Sequence, residues 1–423
     1  MNVINLIKQK LIKTPWAKYY KKEDLKLKVP DISMYEALKE VVLKYESRTA
    51  INYFGKKLSY REFLNLIDKA ALAFRSQGVR RGDIVTICMP NTPEAMIAFY
   101  AINKIGAISN MIHPLSGEVE IKEYLTSTNS VMLVMIDVCY DKVKNIIKDT
   151  SVYKTIVVSA RDSMPFFTGL GYQISQGFKI KGPTKSEAYL YWNDFLKKAS
   201  GYNNLLDIKI SRDDPAVILH SGGTTGKPKG IILSNGNFNA LTEQAKIVFN
   251  DVEVGDRVLG IMPIFHGFGL GVSTIGPFIL GCELIMVPQF NAKKFDKLLE
   301  KYKPNVIFGV PTLYEALAGT KNDYLDLSGL KYAISGGDSL SRNLIKRVND
   351  YLSSHNAKIK ISQGYGMTES LAAVALSYGE AYREDSIGIP FPGNYIKIVT
   401  PETQEEVPYG EDGEICISGP TVM

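Results

Sequence analysis

His220-Ser221-Gly222-Gly223-Thr224-Thr225-Gly226-Lys227-Pro228-Lys229-Gly230 lies between two short apolar runs, Ala216-Val217-Ile218-Leu219 and Ile231-Ile232-Leu233. The pattern is strand, Gly/Ser/Thr loop, strand, so rigid elements hold the loop at both ends. Gly222, Gly223 and Gly226 let the backbone come close to a ligand. Successive amide N–H groups in such a loop make an anion-binding concavity. Ser221, Thr224 and Thr225 add hydroxyl donors, and Lys227 and Lys229 add positive charge. The chemistry this suits is a polyphosphate.

A Walker A loop is excluded. Counting back from Gly226-Lys227, Ser221 stands where that motif needs its first glycine, and Pro228 replaces the magnesium-holding Ser/Thr. A plain surface turn would not need four glycines, three hydroxyls and two lysines in eleven residues.

Outward from this loop the chain alternates strands and helices. Before it come apolar strand runs at Ile84–Met89, Ala107–Ile112, Val131–Ile136 and Thr155–Val158, with helical patterns at Tyr60–Ser76, Pro93–Ile105 and Glu118–Ser127. After it follow helices at Asn237–Phe249, Gly267–Leu280, Ala292–Tyr302, Pro311–Ala318 and Leu340–Leu352. The intervening strands are Val258–Met262, Glu283–Val287, Val306–Phe308, Lys331–Ile334 and Lys358–Ser362. Such alternation implies parallel sheets with right-handed crossovers. Residues 161–213 break the rhythm and read as an insertion or surface hairpin. Beyond Asp385 short alternating strands, Tyr395–Val399 and Glu414–Ile417, read as part of a small antiparallel barrel.

With 423 residues the chain exceeds one hydrophobic core. The division expected is a leader over 1–30, one α/β subdomain with the phosphate loop over 77–235, a second over 31–76 and 236–380, and a partial barrel over 381–423. The fold class is therefore α/β, two doubly wound α/β subdomains plus a small antiparallel β-barrel. At 45% hydrophobic and 22% charged residues with net charge +6, the composition is that of an ordinary globular protein and offers no basic nucleic-acid stripe. Nucleic acid is excluded as a partner. Cys88, Cys139, Cys282 and Cys416 lie too far apart for a disulfide framework or zinc site, which points to a reduced, cytoplasmic setting. No run reaches the roughly 18 apolar residues of a membrane span. The N-terminal stretch, Val3-Ile4, Leu6-Ile7 and Leu11-Ile12 among lysines, reads as a short amphipathic helix.

A second motif agrees with the first. Gln363-Gly364-Tyr365-Gly366-Met367-Thr368-Glu369, together with Ser221–Gly230, resembles the paired signatures of the adenylate-forming (AMP-binding) enzymes, the family of acyl-CoA synthetases, luciferases and peptide-synthetase adenylation domains. The resemblance runs from near Tyr35 to the end, and the chain is most similar in look to fatty acyl-CoA synthetases. It implies an acid–thiol ligase that joins a carboxylic acid to ATP as acyl-AMP and passes the acyl group to CoA, with Mg2+ as cofactor.

Residue by residue, the resemblance assigns triphosphate binding to Ser221, Gly222, Gly223, Thr224, Thr225, Gly226, Lys227 and Lys229. The α-phosphate falls to Thr368, magnesium to Glu369 with Thr225, and the adenine to Tyr365 with Gln363, Gly364, Gly366 and Met367. Gly336 and Gly337, after a strand, line the nucleotide pocket. His266, in Pro263-Ile264-Phe265-His266, stands at the acyl carboxylate, with Phe265, Gly267, Gly271, Gly309 and Pro311 around the substrate. Alone, Thr368-Glu369 would read as a helix N-cap with an acid in the first turn.

From Pro263 to Leu280 there is no Asp or Glu to pair a substrate ammonium, which disfavours an α-amino acid. The sequence stops at Met423, short of the ribose-binding Asp, hinge and small C-terminal domain with a catalytic Lys that the family carries. The expectation is that this is the large domain alone and that CoA is used only with that further domain. Two competing readings are an acyl-AMP ligase loading a carrier protein and a non-catalytic nucleotide-binding regulator. Met164, Phe166, Phe167, Leu170, Tyr172, Ile174 and Phe178, followed by Lys179, Lys181 and Lys185, form an apolar cluster with a basic flank. It would suit peripheral contact with the inner face of the membrane, or a homodimer contact.

Overall fold

The computed structural model describes residues 14–175, 177, 180, 182–202, 208–222 and 229–423. The expected N-terminal amphipathic helix lies outside the described residues. Strands β1 (Thr49–Tyr53) and β2 (Lys56–Ser59) come first. They are followed by β3 (Ile84–Cys88), β4 (Ile108–Ile112), β5 (Met132–Ile136), β6 (Lys154–Val158), β7 (Tyr189–Tyr191), β8 (Pro215–Ser221) and β9 (Lys229–Ser234). Strands β3 to β9 build one seven-stranded sheet in the order β7-β6-β5-β3-β4-β8-β9, parallel except for β9.

The remaining strands are β10 (Arg257–Gly260), β11 (Glu283–Met286), β12 (Val306–Gly309), β13 (Tyr332–Ser335), β14 (Ser362–Tyr365), β15 (Ala375–Leu376), β16 (Ile389–Pro390), β17 (Tyr395–Val399) and β18 (Glu414–Ser418). Nine strands form the second sheet, β16-β15-β14-β13-β12-β10-β11-β1-β2, with a parallel centre and antiparallel edges. The tail expected as barrel strands forms the two-stranded antiparallel ribbon β17–β18.

Local sequence sets the helix starts. Ser33 with Glu36, and Ser59 with Glu62, are reciprocal capping boxes opening the helices Met34–Tyr45 and Tyr60–Ser76. Ser234 with Asn237 does the same for Asn235–Val248. Between the sheets the helix Pro93–Lys104 is almost wholly buried, as befits its apolar sequence. Polar side chains lock the two halves. Asn91 Nδ2 donates to the carbonyls of Gly260 and Met262 (3.1 and 2.9 Å), and its Oδ1 accepts from the Ile264 N–H at 3.1 Å. Within the second half, the Tyr60 hydroxyl bonds to the Phe278 and Cys282 carbonyls at 3.0 and 2.8 Å. All four cysteines are free thiols.

Three expectations are corrected. Residues 161–213 are not an interruption: they hold the helices Phe166–Ser175 and Trp192–Lys197, and β7 extends the sheet in parallel with β6. The strand expected at Lys358–Ser362 lies instead at Ser362–Tyr365, because pairing with β13 and β15 fixes it there. The glycine-rich helix at Gly267–Leu280 is a π-helix over Phe268–Ile275 continued by an α-turn at Gly276–Ile279. At Gly269 a Cβ would stand 1.9 Å from the Pro263 carbonyl oxygen, so only glycine lets the segment pass.

Glu94, on the buried helix, gives a pH-dependent stability. Burial pushes its carboxyl from the ordinary 4.5 up to about 7, against the pull of the Ser163 hydroxyl that donates to it. Between those values the unfolded chain has released the proton and the folded chain has not. Stability therefore falls as pH rises from about 4.5 to about 7. Urea titrations of Glu94→Gln should lack this loss; a variant profile parallel to wild type would overturn the assignment.

Candidate active site

Strands β8 and β9 pair antiparallel with Ser221 opposite Lys229 and His220 opposite Gly230, so the glycine-rich loop is the tip of a hairpin, as its flanking runs required. Gly223, Thr224, Thr225, Gly226 and Lys227 lie outside the described residues. At its described ends Gly222 has open space where a Cβ would be, and Lys229 is exposed. Behind the hairpin His220 Nε2 meets Asn110 Oδ1 at 2.7 Å, and its ring lies 4.2 Å from that of Tyr124. Burial holds the imidazole down to about 4, so this ring is neutral at pH 7. Asn110 continues the chain of bonds to Thr86 at 2.8 Å.

The second motif packs against this hairpin. After β14 the chain makes a single 3-10 turn, Thr368–Ser370, which touches both β8 and β9. Ser221 Oγ lies 3.5 Å from Glu369 Oε1, so one hydroxyl of the first motif meets the carboxylate of the second. The turn leaves through Leu371 and Ala372, both at positive φ (52° and 67°). Two consecutive left-handed non-glycine residues are strained, and such strain persists only where the surroundings enforce it. Gly366 is part of the same constraint: a Cβ would stand 2.1 Å from the Ala372 carbonyl oxygen.

Beside this turn a cavity of about 380 Å³ opens. Its mouth brings together His266, Gly267, Gly336, Gly337, Gly364, Tyr365, Gly366, Met367 and Thr368. Its wall also takes in Leu241, Ala245, Phe249 and Val252 from the helix Asn235–Val248 and the residues just after it, with Val258 and Leu280. Among the described residues no Asp, Glu, Lys or Arg lines it. Burial holds His266 below its ordinary value, with His113 adding to the effect, so its ring is a neutral hydrogen-bonding group at the mouth. The Phe265 ring sits between His113 and His266, at 4.2 and 4.8 Å.

Four residues expected in the substrate pocket do not reach the cavity wall. Phe265 is buried beside His113. Gly271 is pressed against Leu241, 2.8 Å from a built Cβ, and so allows the π-helix to approach. Gly309 faces Leu313, and Pro311 opens the helix Pro311–Ala318. Gln363 turns to the backbone, its Oε1 accepting from the Leu340 N–H at 3.1 Å.

The structure also adds residues. Ser335, at the end of β13, is on the cavity wall with a buried hydroxyl that has no hydrogen-bond partner among the described residues. A buried orphan hydroxyl is costly, by about 1–3 kcal/mol, unless a ligand satisfies it. Its only sequence signal was its place before Gly336-Gly337. Phe268, Phe308 and Ala373 also line the cavity, and no local pattern separates them from core residues.

These features fit a nucleotide: an open glycine at Gly222, the exposed Lys229 across from Ser221, and the orphan hydroxyl of Ser335 on the same cavity wall as Tyr365. Magnesium also fits. Among the described residues no three His, Cys, Asp or Glu gather as a protein-only metal site. Glu369 alone beside a phosphate loop is the arrangement a metal shared with substrate phosphates uses.

The model of the AMP-binding enzyme family matches residues 38–423. The chain belongs to that family. Among its relatives is the long-chain-fatty-acid–CoA ligase of Bacillus subtilis, 29% identical over 414 residues, 97% of this chain and 73% of that protein. The probable 4-coumarate–CoA ligase 1 of Dictyostelium discoideum is 30% identical over 379 residues, 87% of this chain and 65% of that one. Among solved structures, a long-chain-fatty-acid–CoA ligase from Archaeoglobus fulgidus superposes with TM-score 0.80 at 25% identity, covering 94% of this chain and 76% of its own. The AMP-binding chain thus spans 65% to 76% of these CoA ligases. Among the described residues no helix is long and apolar enough to cross a membrane.

Proposed function

We propose that this chain activates a medium- or long-chain fatty acid as its acyl adenylate, for transfer to CoA. The observation that carries the reading is the cavity whose described lining holds no charged residue and joins His266, Tyr365 and Thr368 to the apolar Ala245, Phe249 and Val252. It offers a fatty tail an apolar wall, and an α-amino acid no acid to pair its ammonium.

In this reading Lys229 and the loop from Ser221 to Lys227 hold the triphosphate, and Thr368 takes the α-phosphate. Tyr365 stacks on the adenine between Gly364 and Gly366, with Ser335, Gly336 and Gly337 on the other wall. His266 orients the attacking carboxylate. Magnesium, held by Glu369 and the hydroxyl of Thr225, would spread the charge that develops as pyrophosphate leaves. The protein's part is positioning: the strained turn at Leu371-Ala372 fixes Thr368 and Glu369 against the hairpin.

The test is calorimetric binding of unreactive acyl-sulfamoyl adenosines. Affinity should rise about fourfold for each CH₂ added until the cavity end is reached, following ~0.8 kcal/mol per buried CH₂. Because relatives include 4-coumarate–CoA ligases, the series contains the coumaroyl and benzoyl analogues. Tighter binding of either than of the decanoyl compound would overturn the fatty-acid reading.

A further inference from the structure

The helix Phe166–Ser175, Phe-Phe-Thr-Gly-Leu-Gly-Tyr-Gln-Ile-Ser, carries no charged residue. Its inward side is the small one: Gly169 is buried, 3.7 Å from the side chains of Arg161 and Met164 at the position of a Cβ. Phe166, Phe167, Leu170 and Ile174 are 78%, 83%, 49% and 66% exposed. They fall at i, i+1, i+4 and i+8, one side of a helix. A surface helix normally turns such a stripe to the core. Here it faces outward.

The helix is fixed to the body of the protein. Ser163, just before it, donates to the buried Glu94 carboxyl of the core helix. Arg161 Nη1 donates to Gln173 Oε1 at 2.8 Å. Strand β6 runs parallel to β5, β3, β4 and β8, so the chain leaves β6 at the sheet edge where β8 delivers Ser221. Four strand spacings separate the two exits, about 20 Å.

Charge identifies the occupant. From Ser163 to Ser186 there is no Asp or Glu and Lys179, Lys181 and Lys185 follow the helix, while Arg161 and Asp162 before the stretch balance each other in charge. Lys185 pairs with Asp194 at 2.5 Å; Phe178, Lys179 and Lys181 lie outside the described residues. An apolar stripe followed in sequence by Lys179 and Lys181, with no acid between Ser163 and Ser186, complements an anionic bilayer. Pairing two copies through it would set like charges together.

We propose that Phe166–Ser175 is a bilayer-docking helix, seating Phe166, Phe167, Leu170 and Ile174 at the headgroup boundary of an anionic membrane. The surface stands on these observations; its use, drawing fatty acids from the bilayer toward the cavity mouth, rests on the fatty-acid reading.

The test is co-sedimentation of the 423-residue chain with phosphatidylglycerol–phosphatidylcholine vesicles at low salt, against pure phosphatidylcholine. Wild type should pellet with the anionic vesicles and about tenfold less with neutral ones. Phe166→Ser/Phe167→Ser should bind anionic vesicles at least about tenfold more weakly. Both side chains are exposed, so its melting curve should match wild type. A wild type that stays in the supernatant, or a double variant that pellets equally, overturns the proposal. So does a wild-type dimer, by sedimentation equilibrium, that the variant loses while neither binds vesicles. Decanoyl-sulfamoyl adenosine binding should be the same in both proteins, so a wild type that binds this ligand but not the vesicles would sink the docking helix and spare the fatty-acid reading.

Discussion

Replacing Glu369 with Gln is expected to slow adenylate formation from ATP and decanoate by about 10²–10³-fold, measured as pyrophosphate release. Glu369 sits in the turn that packs on β8 and β9, partly open, and its contact with Ser221 Oγ is long at 3.5 Å. A group held this loosely by protein contributes little to the fold, so the urea midpoint should hardly move. Its value lies in a charge placed where the magnesium and triphosphate must gather. Lys229→Ala should have an effect of similar size, since the lysine stands across the hairpin from Ser221. If both act on one triphosphate, the double variant should fall short of the product of the two single effects. Ser221→Ala, which removes only a neutral hydroxyl, should cost clearly less. Wild-type rates in both charge variants would remove Glu369 and Lys229 from the site.

Much of this site was legible because its two motifs are made of residues that packing alone does not ask for. Glycines, hydroxyls and lysines at a hairpin tip announce an anion, and the structure brings Ser221 to Glu369 across 148 positions of chain. Helix starts were legible where a cap states them: Tyr60–Ser76 begins after Ser59 as its reciprocal bond with Glu62 requires. Elsewhere the deciding contact is distant. Gln363-Gly364-Tyr365 has weak strand character, yet β13 and β15 draw it into the sheet as β14. The close approach of the Pro263 carbonyl to Gly269, at the start of the π-helix, is likewise a contact that no periodicity records. The outward stripe of Phe166–Ser175 has the spacing of a core-facing one, and only its exposure tells them apart. Phe265, Gly271, Gly309 and Pro311 flank residues that do line the cavity, and adjacency in sequence is a poor guide at helical and strand spacing. The cavity's apolar end was not legible at all, since Leu241, Phe249 and Phe308 have the same sequence pattern whether they meet a ligand or each other.

That apolar end carries the other large expected effect. Ala245 lies on the helix Asn235–Val248, between Leu241 and Phe249 at one-turn spacing, and all three line the cavity. Ala245→Phe should place a ring across the tunnel. Adding volume to a filled core typically destabilises by about 1–3 kcal/mol, but here the ring has a cavity to enter, so the loss of stability should fall at or below that range. Displacing about four methylenes of the tail from apolar wall removes about 3 kcal/mol of transfer energy, or about 10² in affinity. Binding of the palmitoyl- and decanoyl-sulfamoyl adenosines should therefore drop about 100-fold in the variant, while the butyryl analogue keeps its affinity because its tail ends before the ring. Ala245→Val, a smaller intrusion, should show the same order of preference with a smaller drop. If Ala245→Phe weakens the butyryl and palmitoyl compounds alike, the helix has shifted as a whole and the tunnel does not measure chain length. If it weakens neither, the tail lies elsewhere, and the cavity between the helix Asn235–Val248 and the π-helix is not the acyl site.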